Sequence, residues 1–393
     1  MPEPEQAPMR GCIGRRRTLG TGPDRRQVVP IDQGKALCID LFYIRKASFE
    51  ALVLGFSVSC GSRIQVRRPR PIEAGSDIIE RTVDTSSVSL LLANAYEALK
   101  SVDLDTASRM LEDALSIEYE NPEILFALKC SRYWAEGLER LGQTVNAFER
   151  GEVVLSLWKS FNAFQSRLEP GFEPCRYAYK QFAFRLALSN YRILPSEESE
   201  AHRAEMSLRT GRCLKGAGAY DEAIRELSVA AKERRDDAET LAELADAYAL
   251  VNEMRDSKAL FREAFYLGAS KVDLDFLESE MIVRLAAKVR EAGRDGPVLA
   301  EWIPVYGNLL GVFTVKRELK AVEAGKLRQS IYQLENELRE NVEDRSFVVP
   351  RLINRYFWLI DHCIAAREER GKVDEILLKL RLLDPQIHKQ YTA

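Results

Sequence analysis

The sequence is short of the residues that catalysis and metal binding draw on. Only His202, His362 and His388 occur in 393 residues, and none stands in a metalloprotease helix motif. Neither a Gly-x-x-x-x-Gly-Lys-Ser/Thr phosphate loop nor a Gly-x-Ser-x-Gly nucleophile turn is present. The seven cysteines, Cys12, Cys38, Cys60, Cys130, Cys175, Cys213 and Cys363, include no Cys-x-x-Cys pair. That spacing is neither a zinc pattern nor a disulfide framework, and the last four read as small buried thiols in helices of a reducing compartment. His362 beside Cys363 invites a ligand reading, but neighbours on a helix diverge by about 100°, so a surface histidine next to a core cysteine is preferred. No catalytic residue, metal or cofactor is expected, and the chain does not read as an enzyme.

Two further absences narrow the class. No stretch reaches the run of roughly 18 apolar residues that a membrane-spanning helix needs. The longest uncharged stretch, Trp302 to Val315, is interrupted by Pro304, Gly307 and Gly311 and reads as a buried, kinked helix. Charge of one sign is not in excess either, with 57 Lys and Arg against 60 Asp and Glu and a formal charge of -3. Such a balance gives no global basic field to draw in nucleic acid, which is not an expected partner.

What is present is an ordinary soluble composition, 46% hydrophobic and 30% charged, sufficient for a substantial core. It changes character near residue 85. Upstream, the basic residues are almost all arginine, glycine and proline recur, and no periodicity persists, so residues 1–85 are expected to be an irregular leader. Downstream, apolar residues repeat at helical spacing and glycine retreats to the junctions.

Between Ala204 and Lys271 two segments align without a gap at a period of about 34 residues. Ala204-Glu205 faces Ala238-Glu239, Gly211 faces Ala245, Leu214 faces Tyr248, Ala223 faces Ser257, Leu227 faces Phe261 and Ala230 faces Ala264. Small residues meet small and large apolar residues meet large, the pattern of two antiparallel helices that cross closely where side chains are small. Gly211 and Ala223 are the expected crossing pair, Gly216 and Gly218 mark the turn, and Tyr220-Asp221-Glu222 opens the second helix with acids near its positive end.

Gly218-Ala219-Tyr220-Asp221-Glu222-Ala223-Ile224 resembles the turn and second-helix opening of the tetratricopeptide repeat. The resemblance implies an all-α fold of antiparallel hairpins stacked as an α-solenoid, in which each hairpin buries its apolar side against the next. Departures are Ser207 and Leu241 where the family has a first-helix tryptophan, and Arg235 and Ala269 where a proline often closes the unit. On this basis 86–200 is expected to hold degenerate hairpins, 201–272 two tandem units, and 273–393 further hairpins. Phe276 to Leu338 keeps helical periodicity there, and a closing hairpin from Arg351 turns at Gly371 and ends at Asp384-Pro385.

In tetratricopeptide stacks the first helices line a groove that holds a partner. Carried onto this sequence, the groove positions are Glu205, Leu208, Arg209, Arg212 and Lys215, then Glu239, Ala242, Glu243 and Asp246. Two readings compete: Arg209 and Arg212 pair with Glu243 and Asp246 across the interface between stacked repeats, or the charges form a polarised groove for a peptide of mixed charge. The expected function is a non-catalytic scaffold or adaptor for a protein or peptide partner. Aromatics crowd between Trp134 and Tyr191 and read chiefly as core. Tyr177 and Tyr179 cannot both face inward, so one is a candidate anchor for a partner.

An alternative arises upstream. Arg45-Lys46, the uncharged run Ala51 to Val58 and Ser59-Cys60-Gly61-Ser62 resemble a bacterial lipoprotein signal, with Cys60 the lipidated residue. It requires translation to begin near residue 40 at a non-methionine start, since no methionine lies between Met9 and Met110. The chain is thus expected in the cytoplasm, or, if lipidated at Cys60, as an envelope-anchored protein that binds a small apolar ligand among its aromatic helices.

Overall fold

A computed structural model describes residues 76–193, 200–340 and 344–393, within a compact unit running from Glu73 to Ala393. Among the described residues the secondary structure is helical throughout, with no strand. The expected all-α architecture of antiparallel hairpins is what the chain adopts.

The first hairpin pairs α1 (Ser76–Lys100) with α2 (Leu104–Ile117). Its first helix starts upstream of the boundary expected at residue 85. Asp103 caps α2 by accepting the Thr106 amide, and Leu104, Ala107, Leu111 and Ala114 form the buried stripe at spacings of three and four. Asn121 caps α3 (Pro122–Leu141), with Pro122 at the first turn, where its missing N–H costs nothing. Then come α4 (Ala147–Gln165) and α5 (Glu173–Arg192). The last of these packs against α1, α3, α4 and the following helix α6. Accordingly it is buried nearly all round, through Cys175, Ala178, Tyr179, Phe182, Phe184, Leu188 and Tyr191. The stripe of Tyr177, Arg185 and Ser189 stays exposed, and the other faces are covered by several neighbours. For that reason the region up to Ile193 does not keep the 34-residue register.

The two segments that do keep it form the hairpins α6 (Glu200–Gly216) with α7 (Tyr220–Glu233) and α8 (Ala238–Leu250) with α9 (Met254–Gly268). The aligned positions Ala223 and Ser257, Leu227 and Phe261, Ala230 and Ala264 are all fully buried. The close approach in the first hairpin falls at Gly211 against Leu227 rather than against Ala223. A Cβ on Gly211 would lie 2.6 Å from Leu227 Cγ, closer than packed carbons tolerate.

After α9 come two short 3-10 turns, Ala269–Lys271 and Leu274–Phe276, and then α10 (Glu280–Glu291) and α11 (Leu299–Leu309). Phe276 therefore precedes the helical region rather than opening it. The run Trp302 to Val315 is not a single kinked helix either. It ends at Leu310, Gly311 takes φ +67, and Val312 and Phe313 fold back so that both amides donate to the Gly307 carbonyl. The remainder is α12 (Ala321–Glu340), α13 (Arg345–Ala365), α14 (Arg370–Leu383) and α15 (Pro385–Thr392). Among these, α13 packs on α11, α12 and α14. Its turn into α14 uses Arg367 at φ 52, while Gly371 lies inside α14. Asp384-Pro385 starts a further helix by capping it rather than ending the stack.

Buried apolar side chains fall into two clusters that meet at α8. Leu244 and Ala247 belong to the first cluster and Leu241, Ala242 and Ala245 to the second. Phe276, from the connection after α9, reaches back into the first.

Candidate functional site

The face where α6 lies beside α8 carries the charges expected to line a groove. Arg212 donates from Nε to Glu243 Oε1 at 2.7 Å and from Nη2 to Glu239 Oε1 at 2.5 Å. Lys215 Nζ sits 2.7 Å from Glu243 Oε2 and 2.6 Å from Asp246 Oδ2. Arg209 reaches Glu152 on α4 at 2.8 Å, Glu205 at 2.9 Å and Glu239 at 3.3 Å, and Glu205 is also held by Arg234 at 2.6 Å. The pairing reading is thus realised, shifted by one turn: Arg209 meets Glu239, Arg212 meets Glu239 and Glu243, and Lys215 meets Asp246.

Exposure of this face, which a polarised open groove requires, is not found. Arg212, Lys215, Glu243 and Asp246 are each no more than 3% exposed, and Leu208 and Ala242 are buried with them. Burial alone would pull the Lys215 ammonium down, but the carboxylates of Asp246 and Glu243 outweigh it and hold the group above its ordinary value. Burial would likewise raise Glu243, yet Arg212 and Lys215 overcome it and hold the carboxyl below the usual range.

What covers the face is the chain's own segment from Val272 to Ser279. Lys215 Nζ donates to the Phe276 carbonyl at 2.9 Å, and the Asp246 carboxylate accepts the amides of Glu278 at 2.9 Å and Ser279 at 2.8 Å. The Phe276 ring lies under the Arg212 guanidinium, 4.4 Å away, and under Lys159 Nζ, 4.8 Å away, with Phe184 at its edge. Lys159 pairs with Asp273, and Lys180 pairs with Glu278. The segment is seated as a ligand would be, with backbone polar groups, one aromatic and two carboxylates each met by a complementary partner. Its alternation of acid and apolar residues, Asp273-Leu274-Asp275-Phe276-Leu277-Glu278, stood in the sequence, but nothing local ties it to lysines about a hundred positions away.

Beside this segment a cleft of about 650 Å³ stays open, lined among others by Trp158, Asn162, Gln165, Tyr177, Lys180 and Leu277. Tyr179 is fully buried and donates to the Ala127 carbonyl at 3.0 Å, whereas Tyr177 is 46% exposed. Of the two tyrosines, Tyr177 is the one that can meet a partner. Gln181 steadies it, donating to Tyr177 Oη at 2.9 Å and to the Ala217 carbonyl at 2.7 Å. On the cleft wall the buried Gln165 Oε1 and Arg176 Nε have no hydrogen-bond partner among the described residues. The other aromatics of this region, Trp134, Phe161, Phe182, Phe184 and Tyr191, are core as expected.

Cys60, the candidate lipidation residue, lies outside the described residues. Cys363 is buried at 2% exposure, and the neighbouring His362 is more enclosed than a surface histidine, its Nε2 being 3.8 Å from Glu368. Among the described residues no helix is long and apolar enough to cross a membrane.

Fold and site together define an all-α protein of packed helix hairpins with a charged, internally covered face and an open aromatic cleft beside it. No protein-family model matches the chain, and no curated protein is similar to it.

Proposed function

We propose that the chain is a non-catalytic helical-repeat adaptor of the tetratricopeptide kind, holding an extended peptide of a protein partner in the cleft around Tyr177. The observation that carries this reading is the seating of Val272–Ser279 across α6 and α8, with Phe276 against Arg212 and Lys159 and its acids on Lys159 and Lys180. A surface that accepts a charged, aromatic stretch of its own chain is chemically suited to a second such stretch in the space left alongside. In the cleft, Tyr177 supplies the exposed aromatic anchor, Arg176 supplies positive charge and Glu173 and Asp275 negative charge, while Lys180 is already paired with Glu278. A cytoplasmic setting goes with this reading, since Cys130, Cys175, Cys213 and Cys363 are all buried free thiols.

Peptide display against the immobilised full chain tests it. Peptides carrying an aromatic residue beside charges of both signs should be enriched, and Tyr177→Ala should weaken the best of them about tenfold or more, as loss of an aromatic anchor buried by the partner does. No enrichment, or equal affinity for the Tyr177 variant, would refute the cleft.

A further inference from the structure

A second cleft, of about 270 Å³, opens on the other side of α9, between the end of that helix, α11 and α13. Three cations border it, Lys271, Arg351 and Arg355, against the single carboxylate of Glu301. That carboxylate is already engaged: Arg351 donates to Glu301 Oε1 from Nε at 2.9 Å and from Nη2 at 2.5 Å. Among the described residues Arg355 has no ion-pair partner. Its guanidinium lies over the Tyr266 ring, 4.1 Å from the centroid, and its Nε has no hydrogen-bond partner among the described residues. Next to it, Asn354 is 2% exposed and its Oδ1 likewise has none among them.

An unneutralised, half-buried cation opposes folding, because the charge has lost water and gained no counter-charge. Burial accordingly pulls the Arg355 guanidinium below its ordinary value, with Tyr266 and Glu301 only partly offsetting it. Arg209, Arg212 and Arg351, which have acid partners, are all shifted the other way. The ring confines the guanidinium from one side, and a planar guanidinium fork is matched to two oxygens of one oxyanion.

We propose that this cleft binds a small dianion, a dicarboxylate or a phosphate group, with one oxyanion held in the fork of Arg355 and Lys271 at the mouth. The surplus of positive charge sets the ligand's charge. The volume, at the small end of ligand pockets, limits it to a few carbon atoms. The site is independent of the peptide cleft and stands or falls separately from it.

Calorimetric titration of the full chain with succinate, inorganic phosphate and neutral succinamide tests the assignment, with Arg355→Met, Arg355→Lys and the remote control Lys372→Met alongside. Saturable binding of succinate or phosphate, whichever is tighter naming the source, is expected in the wild type and in Lys372→Met, and none of succinamide. Arg355→Lys should bind at least about tenfold more weakly and Arg355→Met not measurably, as loss of a bidentate charged contact requires. Without ligand, Arg355→Met should melt no lower than the wild type. Failure of both anions to bind below about 10 mM, wild-type affinity in Arg355→Met, or a lower melting temperature for that variant in ligand-free buffer would each overturn the site.

Discussion

Lys215 and Asp246 form a fully buried ion pair at 2.6 Å in which each partner also holds the backbone of the segment lying over them. The lysine binds the Phe276 carbonyl, and the aspartate binds the amides of Glu278 and Ser279. Repeat stacking and the covering segment are therefore fastened by the same two side chains. Removing Asp246 leaves Lys215 with Glu243 as its one acid and leaves the Glu278 and Ser279 amides without their acceptor, so Asp246→Ala should cost about 3–5 kcal/mol in urea unfolding. In the double variant Lys215→Met with Asp246→Leu, both members of the pair go together and Glu243 keeps Arg212. The two single losses should together exceed the double loss by about 0.5–3 kcal/mol. The loss that persists in the double variant reports on the two amides left without an acceptor.

Lys215 and its other acid, Glu243, set a pH dependence. Because the folded value of Lys215 is raised, its contribution is whole below the unfolded lysine value of about 10.4 and is lost as pH climbs beyond it. Glu243 is depressed, so its contribution is present above about pH 4.3 and is lost as pH falls from there. Burial raises Tyr179 and Tyr191 as well, which adds to the alkaline loss. Between pH 10.5 and 11.5, Lys215→Met should lose stability less steeply than the wild type, by up to about 1.4 kcal/mol per pH unit. Equal slopes in chemical denaturation across that range would show that the lysine is not held as described.

The hairpin geometry rests on Gly211, over which Leu227 lies within contact. Gly211→Ala should destabilise by about 1–3 kcal/mol through overpacking, and Leu227→Ala by about 2–5 kcal/mol through the cavity it leaves. The new methyl enters the space the leucine vacates, so the double variant should lose less than the sum. Additive losses would mean that the two positions do not meet.

The repeat was legible from Gly211, Leu227, Ala230 and their partners at Ala245, Phe261 and Ala264 because their spacing is set within a hairpin. A helix pair of fixed crossing writes its contacts into local periodicity. The covering of α6 and α8 was not legible, since Lys215 and Phe276 are 61 positions apart and Lys180 and Glu278 are 98 apart. The tetratricopeptide resemblance implied that the charges of α6 line a groove, but it carries no information on what arrives there from elsewhere. The burial of most of α5 escaped for the same reason. Besides α4, Tyr179 reaches Ala127 on α3, and Phe184 meets Phe276 from the segment after α9. Arg355, on helix α13, shows no abnormality in sequence, because its having no ion-pair partner among the described residues is a fact of tertiary packing alone.

Tyr177 and Tyr179 stand two positions apart on α5 and should separate binding from stability. The Tyr179 ring is fully enclosed and its hydroxyl bonds the Ala127 carbonyl. Tyr179→Phe should therefore cost about 1 kcal/mol, the net worth of one hydrogen bond, and leave peptide affinity at the wild-type value. Tyr177 shares Gln181 with the Ala217 carbonyl, which keeps that amide satisfied when the phenol is removed. At so exposed a position Tyr177→Ala should change stability by no more than about 0.5 kcal/mol, while affinity for aromatic-bearing peptides falls. Melting curves and peptide titrations on the two variants give four numbers with opposite expected patterns. If Tyr177→Ala loses stability and keeps affinity, the exposed ring serves packing and the cleft around it is not where a partner docks.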